Sequence, residues 1–261
     1  MFKQTALTAI FTVAFTIIVN GQPLKNHTAD SKTYLMWEES IGGKEAAQAI
    51  ARLGDLSPAT IRERLRQMRQ PANLSNSELI NKIIEGRQLL ISTGEHTGHL
   101  KAVLKPVLAY HRREQMPIIV VYADQAKAML VDRLAIIITT KMMAIASDTE
   151  IRGIVAHELA HEYIWDERKK ARLTKDEKLM QECELFCDAV AAFTLKEIGD
   201  DPASYGRILE RITLINFAAS FAASNKSASL TAGSAIPREA STHPPLRARK
   251  KLNKFLCQRL N

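Results

Sequence analysis

Three cysteines in 261 residues, Cys183, Cys187 and Cys257, are too few for a disulfide-built scaffold, so burial must hold this fold together. One bridge and one free thiol is the expected arithmetic. The Cys-x-x-x-Cys spacing lies inside a helical pattern and has no matching second pair, which argues against a cysteine zinc site. Beyond the first residues, no run is long and apolar enough to cross a bilayer. The balance of 46% hydrophobic to 25% charged residues excludes disorder and leaves ample material for a core. The C-terminal cations Arg247, Arg249, Lys250, Lys251 and Lys254 lack interleaved aromatics or a known module, so no nucleic-acid partner is expected.

What is present begins with MFKQTALTAIFTVAFTIIVNGQP. A lone early cation, Lys3, precedes an uncharged apolar run from Thr5 to Val19, and Asn20 and Gly21 follow as small or turn-forming residues. The run is about 15 residues, short of the roughly 20 needed to span. Residues 1–21 therefore read as a secretory signal peptide cleaved after Gly21. Without it the chain has no stable membrane span and is exported, periplasmic or secreted. The formal charge of +8 becomes +7 when Lys3 leaves, 35 cations against 28 acids, a balance that favours acidic partners or anionic surfaces.

Residues 22–115 form a polar lead-in and a helical region. Helical patterns cover 44–53, 58–70 after an N-cap at Ser57, 78–91 with Ser75 and Glu78 in capping-box spacing, and 99–113. At Pro117 the period changes, and short runs rich in Val, Ile and Thr at 118–122, 129–131 and 134–139 read as strands of a small sheet. A short helix at 141–146 precedes a second capping box, Ser147 with Glu150. The charged run 166–172 reads as a solvated face or loop. Thr174 and Glu177 repeat the box and launch a helix to about Ile198, stopped at Gly199. Another helix covers 202–220, a loop of small residues covers 224–241, and a basic helix closes the chain after Pro244 and Pro245. The fold class is α+β and mostly helical. His96, His99 and His111 read as surface or structural, because Gly98 breaks the helical pattern and no further ligand supports them.

The chemistry sits in Ile154-Val-Ala-His-Glu-Leu-Ala-His-Glu-Tyr-Ile-Trp165. On a helix, residues four apart share a face, so His157 and His161 converge as half of a tetrahedral zinc site. Glu158, next to the first ligand, can reach a metal-activated water as general base. A third ligand is required, and the run Gln-Glu-Cys-Glu-Leu-Phe-Cys-Asp offers Glu184, with Glu182 as rival. Glu184 is preferred, since Asp188 then lies on the same face and can accept the outer N–H of a ligand imidazole. One zinc per chain follows.

These elements, with the strand runs before them and Ser241-Thr-His-Pro-Pro before Arg249, resemble the HtpX and CAAX prenyl protease family of zinc peptidases in the gluzincin group. The resemblance covers roughly residues 116–252 and is closest to the soluble, exported quality-control branch. It implies a gluzincin-type peptidase domain at 116–261 acting on protein or peptide substrates. His157, His161 and Glu184 are the implied zinc ligands, and Glu158 is the implied base. Cys187 departs from the alanine common in the family. Residues 26–114 match nothing recognisable. The family also brings His243 and Arg249 forward as donors to the oxyanion, while the loop of small residues before His243 and the two prolines after it suggest instead that His243 is a gate on the open fourth place of the metal. The competing function class is a non-catalytic, chaperone-like binding protein that retains a structural zinc.

Overall fold

The computed structural model describes residues 18–19, 22–23, 36, 38–41, 43–54, 57–67, 95–131, 133–227 and 243–260. The expected helix at 78–91, nearly all of the leader and residues 228–242 of the expected loop lie outside them. The chain is mostly helical. A minimal antiparallel pair, β1 (Ile18–Val19) and β2 (Gln22–Pro23), comes first. Helices α1 (Lys44–Leu53), α2 (Pro58–Gln67) and α3 (Glu95–Tyr110) follow. The sheet comprises β3 (Ile118–Val121), β4 (Ala128–Val131) and β5 (Ala135–Thr139). Six helices complete the chain: α4 (Thr140–Ile145), α5 (Asp148–Ala160), α6 (Trp165–Thr174), α7 (Glu177–Glu197), α8 (Ala203–Ser227) and α9 (Leu246–Leu260). Among the described residues, no helix is long and apolar enough to cross a membrane.

β5 is central and buried at every position, which explains its unbroken Ala-Ile-Ile-Ile-Thr run. It pairs parallel with β3, Ile118 opposite Ile136, and antiparallel with β4, Met129 opposite Ile137. β4 is therefore an edge. Lys127 O accepts from Thr139 N at 3.0 Å, so by the alternation of a ladder Met129 and Val131 face β5 and the backbone groups of Ala128 and Leu130 face outward.

α5 starts at the expected capping box: the Ser147 hydroxyl accepts from Glu150 N, and the Glu150 carboxylate accepts from Ser147 N at 2.9 Å. α7 is buried without interruption from Cys183 to Leu195, because it serves two cores. On one side Phe186 and Val190 pack with Ile50, Leu53 and Leu256. On the other, Ala191 and Leu195 join Leu104, Ile136, Val155 and Tyr205. Burying one such large side chain contributes about 1.5–3 kcal/mol. Two carboxylates, Glu184 and Asp188, thus ride on the helix most removed from water.

Gly153 lies where α5, α7 and α8 meet. A Cβ there would stand 3.2 Å from Leu195 Cδ1 and 3.3 Å from Tyr205 Cβ and Cδ2. Glycine costs a helix about 1 kcal/mol relative to alanine, and here it admits the Tyr205 ring.

Five expectations need correction, the first only in part, since the solvated run is helical rather than a loop. Residues 166–172 belong to helix α6, whose C-cap Lys175 adopts left-handed backbone at φ 54. The cap of α7 is Asp176, which accepts from Leu179 N at 3.0 Å, while Thr174 ends α6 with its hydroxyl bonded to Lys170 O. Gly98 sits inside α3 rather than breaking it, and α8 runs through Ser227 into the expected loop. All three cysteines are free, since Cys183 and Cys187 are buried one turn apart on α7 and Cys257 is on α9.

Candidate metal centre

α5 delivers His157 and Glu158, and His161 takes its C-cap position with helical φ −58 and ψ −23. The two imidazoles stand edge to face, centroids 5.0 Å apart. The turn beyond His161 is pinned by a buried ion pair, Arg113 Nε donating to Glu162 Oε2 at 2.8 Å. Glu184 meets the histidines from α7: Oε2 lies 3.3 Å from His157 Nε2 and Oε1 lies 3.7 Å from His161 Nε2.

These separations test the fit of zinc. Ligand atoms at about 2.0–2.1 Å from a tetrahedral ion are about 3.4 Å from one another, and the two measured edges bracket that value. Glu184 Oε2 is buried without a hydrogen-bond partner among the described residues. Its approaches to His157 Nε2 and to His243 Nδ1, at 2.8 Å, are close but fall outside hydrogen-bonding geometry. A buried carboxylate oxygen in that state calls for a cation. Two imidazoles and one carboxylate are a donor set that suits zinc.

Glu158 also places a carboxylate oxygen within 4.8 Å of both histidines, so distance alone does not separate it from Glu184. Hydrogen bonding and exposure do. Glu158 Oε2 accepts from Leu130 N on the outer edge of β4 at 3.0 Å, and the residue is only partly buried, whereas His157, His161 and Glu184 are enclosed. The rival Glu182 is engaged elsewhere, accepting from Arg52 Nε at 2.8 Å.

Behind His157 a buried network fixes the tautomer. Its Nδ1 lies 2.9 Å from Asp188 Oδ1 and 2.8 Å from the Tyr205 hydroxyl. Tyr205 donates to Asp188 Oδ1 at 2.5 Å, so both neighbours of Nδ1 are acceptors and Nδ1 carries the proton. In the neutral ring Nε2 then carries the lone pair, facing Glu184, and binding zinc there means releasing the proton that Asp188 and Glu184 otherwise favour. Arg249 closes the network, Nε donating to Asp188 Oδ2 at 2.7 Å and Nη2 to Tyr205 at 2.9 Å. Its guanidinium is thereby committed behind the candidate ligands, so the geometry does not present Arg249 towards an oxyanion. His161 Nδ1 meets the buried Cys187 thiol at 3.2 Å.

The electrostatics follow from enclosure. Burial lowers the affinity of His157 for a proton, but Asp188 and Glu184 outweigh it and hold the imidazole up at about 9. Burial pushes His161 well down, so it is neutral, as a ligand must be. Burial would raise Glu184, yet the surrounding imidazoles keep its carboxyl well below the usual range. Burial raises Glu158, against the pull of His157 and the Leu130 amide.

No protein-family model matches the chain, and no curated protein matches it. The site therefore rests on its geometry.

His243 is brought to the centre at Glu184 and is 55% exposed on its side chain, so it stands at the mouth. His99 and His111 are elsewhere: His99 is exposed against Asp148 at 3.2 Å, and His111 is buried between Tyr163 and Thr194. Tyr205, Leu130 and Arg168 escaped the sequence reading. Only Tyr205 left a trace, in the helical Gly153 that makes room for it.

Proposed function

We propose that the chain is a zinc-dependent endopeptidase, one zinc per chain, with Glu158 as general base, akin to the HtpX and CAAX prenyl protease family. The observation that carries this reading is the trio His157, His161 and Glu184, with both carboxylate-to-imidazole separations near the tetrahedral edge length, beside Glu158, a residue only partly buried. A site that served structure alone would close its fourth place with protein and have no use for an adjacent base. That makes the non-catalytic binding protein the weaker alternative.

When bound, zinc supplies Lewis acidity for peptide-bond hydrolysis. Glu158 takes the proton of the attacking water on Oε1, because Oε2 is held by the Leu130 amide, and passes it to the leaving amine. Burial raises its proton affinity in the direction a base working near neutrality needs. Asp188 and Tyr205 keep the Nδ1 proton of His157 in place, so its Nε2 stays a donor. The outward backbone of Ala128 and the outward carbonyl of Leu130, whose amide is held by Glu158, suit an extended polypeptide, which favours a peptide over a small-molecule substrate. His243, at the mouth, gates the reacting position or donates to the oxyanion. The leader-like N-terminus supports an exported, periplasmic or secreted enzyme in envelope protein quality control.

Metal analysis of the purified protein, with casein or peptide cleavage by wild type and Glu158→Gln, tests the reading. Zinc in both proteins and turnover in wild type alone supports it.

A further inference from the structure

Arg168 enters the site from α6, a helix that the sequence pattern reads as solvated. Its Nη2 lies 3.7 Å from Glu184 Oε1, and its side chain is 22% exposed, so the guanidinium joins the buried ligands to the solvent at the mouth. Arg249, by contrast, is bound at both ends by Asp188 and Tyr205. Among the described residues, the Arg168 side chain has the ion pair with Glu184, beyond hydrogen-bond length, while its backbone N–H donates to Ile164 O at 2.9 Å. A guanidinium presents a planar fork of donors that matches a carboxylate in two parallel bonds.

Charge decides what that fork is for. Asp188 and Arg249 cancel behind the site. At its front, Glu184 and Glu158 oppose Arg168 and a divalent ion, which leaves one positive charge in excess. Asp166 and Glu167 begin the same helix, but Arg168 is the α6 side chain paired with Glu184. Once the ion takes up the charge of Glu184, the fork of Arg168 is available to an incoming anion.

We propose that Arg168 is a specificity residue that binds an acidic side chain of the substrate beside the scissile bond, so that this enzyme favours acidic polypeptides. The proposal rests on the peptidase reading for its scissile bond, but its test does not require turnover. Zinc-loaded Glu158→Gln protein is titrated into fluorescein-labelled flexible peptides in which one glutamate is moved along the sequence. The same peptides with glutamine serve as controls.

At one position glutamate should tighten binding about tenfold, the usual worth of a charge-assisted contact. The Arg168→Gln double variant should lose that preference, Arg168→Lys should keep part of it, and Arg168→Glu should turn it towards lysine. The proposal is overturned if glutamate matters at no position, if the preference survives Arg168→Gln, or if Arg168→Gln sheds its zinc, which would make the residue a support for Glu184. A wild-type protein that binds acidic peptides selectively through Arg168 yet cuts none would sink the peptidase reading and leave only the acidic contact of Arg168, without a scissile bond beside it.

Discussion

The Tyr205 hydroxyl stands 2.8 Å from His157 Nδ1 while donating its own proton to Asp188, so an unforeseen tyrosine on α8 sets which nitrogen of a metal ligand is free. Removing parts of this network should weaken zinc binding in order. Asp188→Asn should cost roughly 10- to 100-fold in affinity, and Tyr205→Phe less, because the carboxylate remains against Nδ1. Asp188→Asn should also destabilise the fold by about 3–5 kcal/mol, since Arg249 is left buried without its partner. Competition with a chromophoric chelator and thermal melts measure both. Equal affinities in all three proteins would reduce the network to packing.

Gly153 tests whether the network is built by close approach. Gly153→Val should lower stability by several kcal/mol, as its side chain meets Leu195 and Tyr205 across helices that cannot part cheaply. It should also lower zinc affinity, because the Tyr205 ring is displaced from His157. A denaturant titration and the same chelator assay read the two effects, and a stable variant with wild-type affinity would contradict the account.

Acid should destabilise the protein through a histidine outside the metal centre. Burial, assisted by the charge of Arg113, lowers His111 to about 3. Its ring is held between Tyr163 at 2.8 Å and Thr194 at 3.1 Å. The unfolded chain binds the His111 proton near pH 6.5 and the folded chain does not. The neutral imidazole's contribution is therefore complete above about pH 6.5 and is lost as pH falls towards about 3, by about 1.4 kcal/mol per unit. Unfolding free energies of wild type and His111→Asn, measured from pH 7 to pH 4, should diverge most at neutral pH and converge in acid. Parallel curves would mean that His111 takes up its proton at the same pH in the folded and the unfolded chain.

For His243 the sign of the change is the result. His243→Ala should cleave a test peptide faster than wild type if the residue gates the site, and more slowly at unchanged zinc content if it serves the oxyanion. Gating is the expected outcome, and initial rates on one peptide decide between them.

Much of this arrangement was legible in the chain. His157, Glu158 and His161 are local on one helix, and Glu184 with Asp188 are local on another, so helical spacing alone puts His157 with His161, and Glu184 with Asp188, on one face. The strands and the Ser147 box were legible for the same reason, since each is specified by adjacent residues. What escaped was non-local or atypical in residue type. Arg249 was brought forward by the resemblance as an oxyanion donor, but its bond to Asp188 was hidden, because the two sit far apart along the chain and nothing in the cationic helix marks one guanidinium as turning inward. The end of α6 was hidden because Lys175, rather than glycine, takes the left-handed position. The expected single bridge is absent, since all three cysteines are free, Cys183 and Cys187 buried on α7 and Cys257 on α9.

The central claim concerns Glu158, and one comparison tests it most directly. Zinc content and peptide cleavage are measured together on wild type and Glu158→Gln. The account predicts about one zinc per chain in both and a loss of turnover of two orders of magnitude or more in the variant, because the base is removed and no ligand is. Zinc-loaded Glu158→Gln that cleaves at the wild-type rate would contradict it.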